Sequence, residues 1–370
     1  MRVPQVPAED ENLRPVIITP ADMVENSPSP FSNLVSPPLS DTDSVVTDFS
    51  LRSSMNTRAF REDEGRLYQA TDDERETQRL DLQHNAIKAS QGNKNYLAPI
   101  PAYLPNAGKD KSVLDVGTGS GAWPCEIAQE FPNAEVIGVD LAPTWNDNDL
   151  PDNVEFQQGD ITAGLPFPDG RFDVVHGRTL VAGIRDWPQY INEMIRLVKP
   201  GGLFISHETS FPWVLQDQPD VDHWSIAPGF MAISECVARA LVVRGHVLSD
   251  VTESLPRLIS EHPYMEAVER VALFQPFWGW SNDPWQKQSG DIMLRNARDI
   301  PDVGDDVSQS DRADIEALRL LIIDGCGIAP RDYEDLKFAF LADLEKPGAN
   351  SGVPQSVVWG RKKGGPSPTV

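Results

Sequence analysis

Between residues 112 and 207 the apolar positions switch between two rhythms. Short β-branched or aromatic runs at Ser112–Val116, Glu135–Val139, Val154–Gln157, Phe172–His176 and Leu203–His207 read as strands. Ala122–Phe131 and Trp187–Val198 between them carry the spacing of helices. Strand and helix in turn along one stretch mean βαβ units, and so a parallel sheet with helices on both faces. Further on, Ala232–Val243 reads as helix, and Ala267–Phe274 and Ser356–Gly360 return as strands.

Upstream, Arg61–Ala89 is rich in charged helix formers, and Leu67, Tyr68, Leu80, Leu82, Ala86 and Ile87 suggest an amphipathic helix in its second half. Residues 1–55 differ: Pro, Ser, Asp and Thr dominate, with Ser27-Pro28-Ser29-Pro30 and Ser36-Pro37-Pro38 and little periodic apolar content. Such a segment cannot bury enough surface to offset its ordering entropy, so a disordered tail is expected. Its Ser-Pro pairs leave a docking or phosphorylation segment, and so protein partners, open. One domain is then expected over 56–365. An irregular insertion at about 208–260, bearing Trp213, Trp224, Phe230 and Met231, is expected to serve as a lid.

The 370 residues are 40% apolar, enough for a substantial core. A formal charge of −24 would repel a phosphate backbone, so nucleic acid is not an expected partner. Cys125, Cys236 and Cys326 are too scattered for a disulfide framework or a zinc site; no metal is expected, and a reducing compartment is. The first residues lead into no apolar signal-like run, and no later run is long enough to span a bilayer. A soluble protein of the cytoplasm is expected, with the nucleus as the alternative.

The chemistry concentrates in Val113-Leu114-Asp115-Val116-Gly117-Thr118-Gly119-Ser120-Gly121-Ala122, a strand that breaks into glycines and then opens a helix. Glycine permits the tight turn and lets a ligand lie on the backbone. Gly117, Gly119 and Ala122 also satisfy the dinucleotide pattern G-x-G-x-x-G/A, so glycine spacing alone does not separate a nicotinamide dinucleotide from S-adenosylmethionine. Asp115 does: a carboxylate there would repel a pyrophosphate, whereas it favours the ammonium and sulfonium of S-adenosylmethionine. Asp140, about 20 residues beyond the glycines, is placed to accept both ribose hydroxyls of either cofactor. Asp160, after the third strand, could accept from the adenine amine or simply cap a turn. Thr118, Gly121, Leu141 and Ile161 complete the expected cofactor-binding set beside Asp115, Gly117, Gly119, Asp140 and Asp160.

The stretch Asp115 to Gly121 resembles the first motif of class I S-adenosylmethionine-dependent methyltransferases. The likeness continues through Asp140, through Phe172-Asp173, and through Leu197-Val198-Lys199-Pro200-Gly201-Gly202-Leu203. A narrower resemblance is to the fungal LaeA-like and UMTA-type methyltransferases. It is carried by Glu76-Thr77-Gln78-Arg79-Leu80-Asp81-Leu82-Gln83-His84, by Ile184-Arg185-Asp186-Trp187-Pro188 and, more weakly, by Gly279-Trp280. These resemblances imply an α/β fold with a Rossmann-like seven-stranded sheet, mostly parallel, whose last strand runs antiparallel. They also imply that the helix around Tyr68–His84 closes over the cofactor, although a plain packing helix would carry the same periodicity.

Methyl transfer is an in-line displacement, so its rate depends largely on holding a nucleophile against the methyl group and excluding water. Were the nucleophile a hydroxyl, a base would stand at the ends of the fourth and fifth strands, where His176, Arg178, His207 and Glu208 fall. His176 and His207 are the candidate catalytic residues; His176 could equally be a strand-end histidine bound to backbone, and His223 is a further candidate. Trp213, Trp224, Phe230, Met231, Phe277, Trp278 and Trp280 could line a pocket for an aromatic or lipophilic acceptor, or pack as core. The resemblance implies an enzyme that methylates a small molecule, expectedly on oxygen, in fungal secondary metabolism. A LaeA-like regulator within a nuclear complex is the competing reading, and a nicotinamide oxidoreductase the third.

Overall fold

The sheet is built on strand β3 (Ser112–Val116), flanked in parallel by β4 (Glu135–Asp140) and β6 (Phe172–Arg178). The coordinates are a computed structural model and describe residues 61–63, 66–68, 74–145, 149–216, 222–243, 245–246, 251–298, 323, 327–346 and 348–365. The expected tail at 1–55 and Cys326 lie outside the described residues. A small hairpin, β1 (Arg61–Asp63) and β2 (Arg66–Tyr68), stands where the sequence suggested the approach to a helix; helix α1 runs from Glu74 to Ser90.

Beyond β4 lies parallel β5 (Val154–Gln158), and beyond β6 parallel β7 (Val198–Thr209). On the far edge of β7, β10 (Ser351–Lys362) pairs antiparallel, as expected of the last strand, and β9 (Met265–Pro276) pairs antiparallel to β10. The order is therefore β5-β4-β3-β6-β7-β10-β9. An eighth strand, β8 (Val214–Leu215), also pairs with β10. Because Gly352 of β10 faces Val214 on one side and Pro276 on the other, β8 continues the edge of β7 rather than widening the sheet. The count of eight against an expected seven comes from this interruption of β7.

Strand side chains alternate between faces, and that alternation sorts the core into two layers. Leu114, Val116, Val175 and Phe204 pack with α3 (Trp187–Leu197) and α5 (Val251–Ser260). Val113, Val174, Leu203 and Ile205 pack on the other face, with α2 (Ala122–Glu130) through Trp123 and Ile127. Helix α3 starts cleanly because the Asp186 side chain accepts the Gln189 N–H and Pro188 sits in the first turn, where it has no N–H to lose.

A third core cluster joins α4 (Pro228–Val243) to α7 (Pro330–Leu344), with α6 (Pro284–Arg298) contributing Ile292's neighbour Met293 and Ala297. Trp213, Phe230, Phe277 and Phe340 stack or tilt against one another there, with ring centres 4.8 to 6.5 Å apart. Aromatic side chains expected to line a pocket thus include three, Trp213, Phe230 and Phe277, whose ring faces are spent on core contacts. Among the described residues no helix is long and apolar enough to cross a membrane.

Candidate functional site

The loop after β3 turns through three glycines in the left-handed region, Gly117, Gly119 and Gly121, with φ of 68°, 55° and 81°. At Gly117 a side chain would also collide: a Cβ would stand 2.1 Å from Leu180 Cδ2. The loop is tied to β4 by the Asp140 carboxylate, which accepts the Gly119 N–H at 2.8 Å and the Ala142 N–H at 3.1 Å. Burial raises the Asp140 pKa above the usual carboxylate range; the backbone donors of Gly119, Ala142 and Leu141 oppose this, and the Asp115 charge adds to it.

A cavity of about 340 Å³ opens over this loop. Of the residues expected to bind a cofactor, Gly117, Thr118, Gly119, Asp140, Leu141, Asp160 and Ile161 line it. Asp160 also caps the short turn Ile161–Ala163, accepting the Thr162 N–H at 2.8 Å and the Thr162 hydroxyl at 2.7 Å, which is the capping role weighed for it.

Asp115 and Gly121 are not on the wall. Asp115 alternates with Leu114 and shares the face of Val113, so its side chain points under α2 rather than out of the strand end. There one oxygen accepts the Thr118 hydroxyl at 2.8 Å and the other lies 2.7 Å from His176 Nδ1. The carboxylate therefore holds the loop from beneath, and its charge reaches the cavity through the loop rather than by contact.

Neither candidate base reaches the cavity wall. His176 is buried, its ring stacked on Trp123 with centres 3.8 Å apart, and burial lowers its pKa despite Asp115. His207 lies deeper, its Nε2 3.3 Å from Gln355 Oε1, and burial together with the Arg178 charge brings it down to about 3. A group so hard to protonate is a poor acceptor for a substrate proton near neutral pH. The physical reason is again strand parity: both side chains point into the layer under α1 and α2, not off the strand ends. His223 begins the short helix His223–Ile226, and none of the described residues of the 208–260 insertion lines the cavity.

What closes the cavity is α1, through Leu80, Gln83, His84 and Ile87. The Thr77 hydroxyl donates to the Thr144 carbonyl at 2.9 Å, and the Thr144 hydroxyl in turn donates to the Gly119 carbonyl at 2.9 Å, so helix and glycine loop are linked through one residue. Lys88 and Glu126 pair at 2.7 Å, fastening α1 to α2. Periodicity alone could mark α1 as amphipathic but not say what it covers. Arg178 and the turn residues Thr179, Leu180, Ala182, Gly183 and Ile184 complete the wall; of these Arg178 drew notice in the sequence by its place at a strand end, and Ile184 only as part of a resemblance.

Residues 107–255 match the family model described as a methyltransferase domain. That match takes in the glycine loop and the parallel strands β3 to β7 of the mixed α/β sheet. Three fungal proteins are among those the chain resembles. It is 37% identical to methyltransferase str3 of Strobilurus tenacellus over 40% of this chain and 47% of that protein. It is 32% identical to the secondary metabolism regulator laeA of Coprinopsis cinerea over 47% of this chain and 48% of that one. To methyltransferase pytC of Aspergillus terreus it is 28% identical over 70% and 77%. The matched stretch spans about half the length of the first two relatives.

Proposed function

We propose that this protein is an S-adenosylmethionine-dependent methyltransferase acting on a small molecule, an O-methyltransferase of fungal secondary metabolism located in the cytoplasm. The observation that carries this reading is the cavity itself: it follows three successive strand ends, with the glycine loop as floor and Asp140 and Asp160 along one side. Asp140 is the residue proposed to accept the ribose hydroxyls, Asp160 and Ile161 to border the adenine, and Gly117, Thr118 and Gly119 to lie under the amino-acid end. The Asp115 anion beneath the loop favours a sulfonium and ammonium over a pyrophosphate, which sets the nicotinamide alternative aside. No residue is proposed as base; positioning and exclusion of water under α1 are the contributions this chain's residues would make.

The test is calorimetric titration with S-adenosylmethionine and S-adenosylhomocysteine. Asp140→Ala should weaken both by about 1–3 kcal/mol, the worth of charge-assisted hydrogen bonds to the ribose. Unchanged affinity in a folded variant would refute this placement. A second reading, a regulator acting through a nuclear protein complex, is favoured by the similarity to the regulator of Coprinopsis cinerea. Methylation of a defined small molecule by the purified protein would count against it.

A further inference from the structure

Arg178 is a cation in the wall of the cavity without a carboxylate partner of its own among the described residues. In β6 it follows Val174 and His176 on one face, at the strand end beside Gly117, since Val116 pairs with Gly177 in the sheet. Its Nη2 donates to His84 Nδ1 at 3.0 Å. A guanidinium has no acceptor, so His84 must receive that bond as a neutral ring with its proton on Nε2, which lies 3.4 Å from Glu126. Burial lowers the His84 pKa, consistent with that state.

The neighbouring carboxylates are engaged elsewhere. Asp115 is taken up by Thr118 and His176, and Glu126 by Lys88 and His84, which outweigh its burial and hold it at about 2. Both stabilise the arginine's charge at longer range, yet among the described residues no carboxylate lies within ion-pair distance of it. A guanidinium carries five N–H donors in a fixed fork suited to a carboxylate, and one of them is used on His84. The backbone immediately after it is held in an unusual state: Thr179, a β-branched residue, has φ of 60°, and its N–H donates to the His207 carbonyl at 2.9 Å. Such a conformation costs on the order of 1–3 kcal/mol and persists only where its surroundings enforce it. Arg178 is thereby fixed from behind by His84 and from below by its own turn.

We propose that Arg178 is the carboxylate receptor of the cavity, binding an acid group bidentately on the wall that faces α1. The inference rests on the methyltransferase reading, under which that acid comes from one of two sources: the amino-acid end of the cofactor, or an acidic methyl acceptor beside it. His84 is a positioning residue for the guanidinium.

The experiment compares wild type with Arg178→Gln in calorimetric titrations. The ligands are S-adenosylhomocysteine, its analogue lacking only the carboxylate, 5′-(3-aminopropylthio)-5′-deoxyadenosine, and benzoate added to protein saturated with S-adenosylhomocysteine. A loss of about tenfold or more for S-adenosylhomocysteine, with the decarboxylated analogue changed by less than about twofold, assigns the receptor to the cofactor. Unchanged nucleotide affinities, with benzoate bound by wild type and not by the variant, assign it to an acidic acceptor. Equal weakening of both nucleotides would make Arg178 a wall support only, and indifference of all three ligands would leave it no ligand; either overturns the proposal. Should the glutamine variant fail to melt cooperatively, Arg178→Lys, which keeps the charge and loses the fork, should show the same ligand preference at smaller amplitude. Failure of wild type to bind S-adenosylhomocysteine at all would instead sink the methyltransferase reading, and this proposal with it.

Discussion

Glu208 closes the end of β7 with no exposed surface, and its carboxylate accepts the Leu180 N–H with both oxygens, at 2.9 and 3.1 Å, and the Val181 N–H at 3.2 Å. Those N–H groups start the turn whose Leu180, Gly183 and Ile184 wall the cavity. Burial pushes the carboxyl from 4.5 up to about 8, with the backbone donors opposing it only in part. A raised carboxyl pKa means the folded protein keeps a proton that the unfolded chain releases. That contribution is whole below pH 4.5 and is lost as pH rises through 8. The slope is at most about 1.4 kcal/mol per pH unit, and between pH 6.5 and 8 the loss comes to about 1.6 kcal/mol. His207 runs the other way: with its folded pKa near 3 against 6.5, its contribution is whole above pH 6.5 and lost as pH falls. The two oppose each other between pH 4.5 and 6.5, so the window above 6.5 isolates Glu208. Urea unfolding of wild type and Glu208→Gln at about pH 6.5 and pH 8 reads the effect. The glutamine keeps the shape, does not titrate, and turns an amide N–H toward a backbone donor at a cost of about 1–3 kcal/mol. Wild type should lead the variant at pH 6.5 and lose about 1.5 kcal/mol of that lead by pH 8. A lead constant to within a few tenths of a kcal/mol would refute the protonated carboxyl.

Two further substitutions separate cavity from core. Gly117→Ala puts a side chain at φ 68° with its Cβ against Leu180, so stability should fall by about 1–2 kcal/mol and S-adenosylhomocysteine binding should weaken as Leu180 is driven toward the cavity. Thermal melts and titration check both, and undiminished binding would place the ligand away from the loop. Phe230→Ala, in the third cluster, should cost about 3–5 kcal/mol in urea unfolding yet leave binding by the folded protein unchanged. Weakened binding at a temperature where the variant is fully folded would favour a lid role for the 208–260 insertion.

The strands at Ser112–Val116 and Glu135–Asp140 and the helix at Trp187–Leu197 were legible nearly to the residue, because apolar period, turn glycines and caps agree there. The helices Pro284–Arg298 and Pro330–Leu344 were not. Each owes its place to a few contacts at long range, such as the Ser289 hydroxyl donating to the Ala86 carbonyl and Asp343 accepting the Gly229 N–H, which leave no local periodic mark. β9 and β10 proved longer than their apolar runs, since each twelve-residue strand is held along its whole length by its partner. Arg361 and Lys362, beyond the apolar run Ser356–Gly360, are kept in β10 by Glu266 and by carbonyls of α3 and β7, with Lys362 Nζ 2.7 Å from the Ile195 carbonyl.

At the site, the segments singled out in the sequence border the cavity, but the directions of their side chains were not legible. A carboxylate before three glycines was visible, but whether it meets the ligand depends on which face of β3 it occupies. The alternation Val113, Asp115 against Leu114, Val116 fixes that only once α2 is known to cover the first pair. The same parity links Val174, His176 and Arg178 in β6, and it makes their different fates intelligible. Two positions from the strand end, His176 is trapped between Asp115 and Trp123, while Arg178, at the end, has the reach to arrive at the cavity. Both histidines were chosen for their chemistry, and burial removes it: an imidazole in that layer stays neutral and serves as a hydrogen-bonding spacer. An arginine under the same burial keeps its charge, because its ordinary pKa lies so far above neutrality, and it therefore retains a demand for an anion that the histidines have given up. In this layer, then, burial selects against proton transfer and in favour of charge recognition, and the strand end decides which residue is left to perform it.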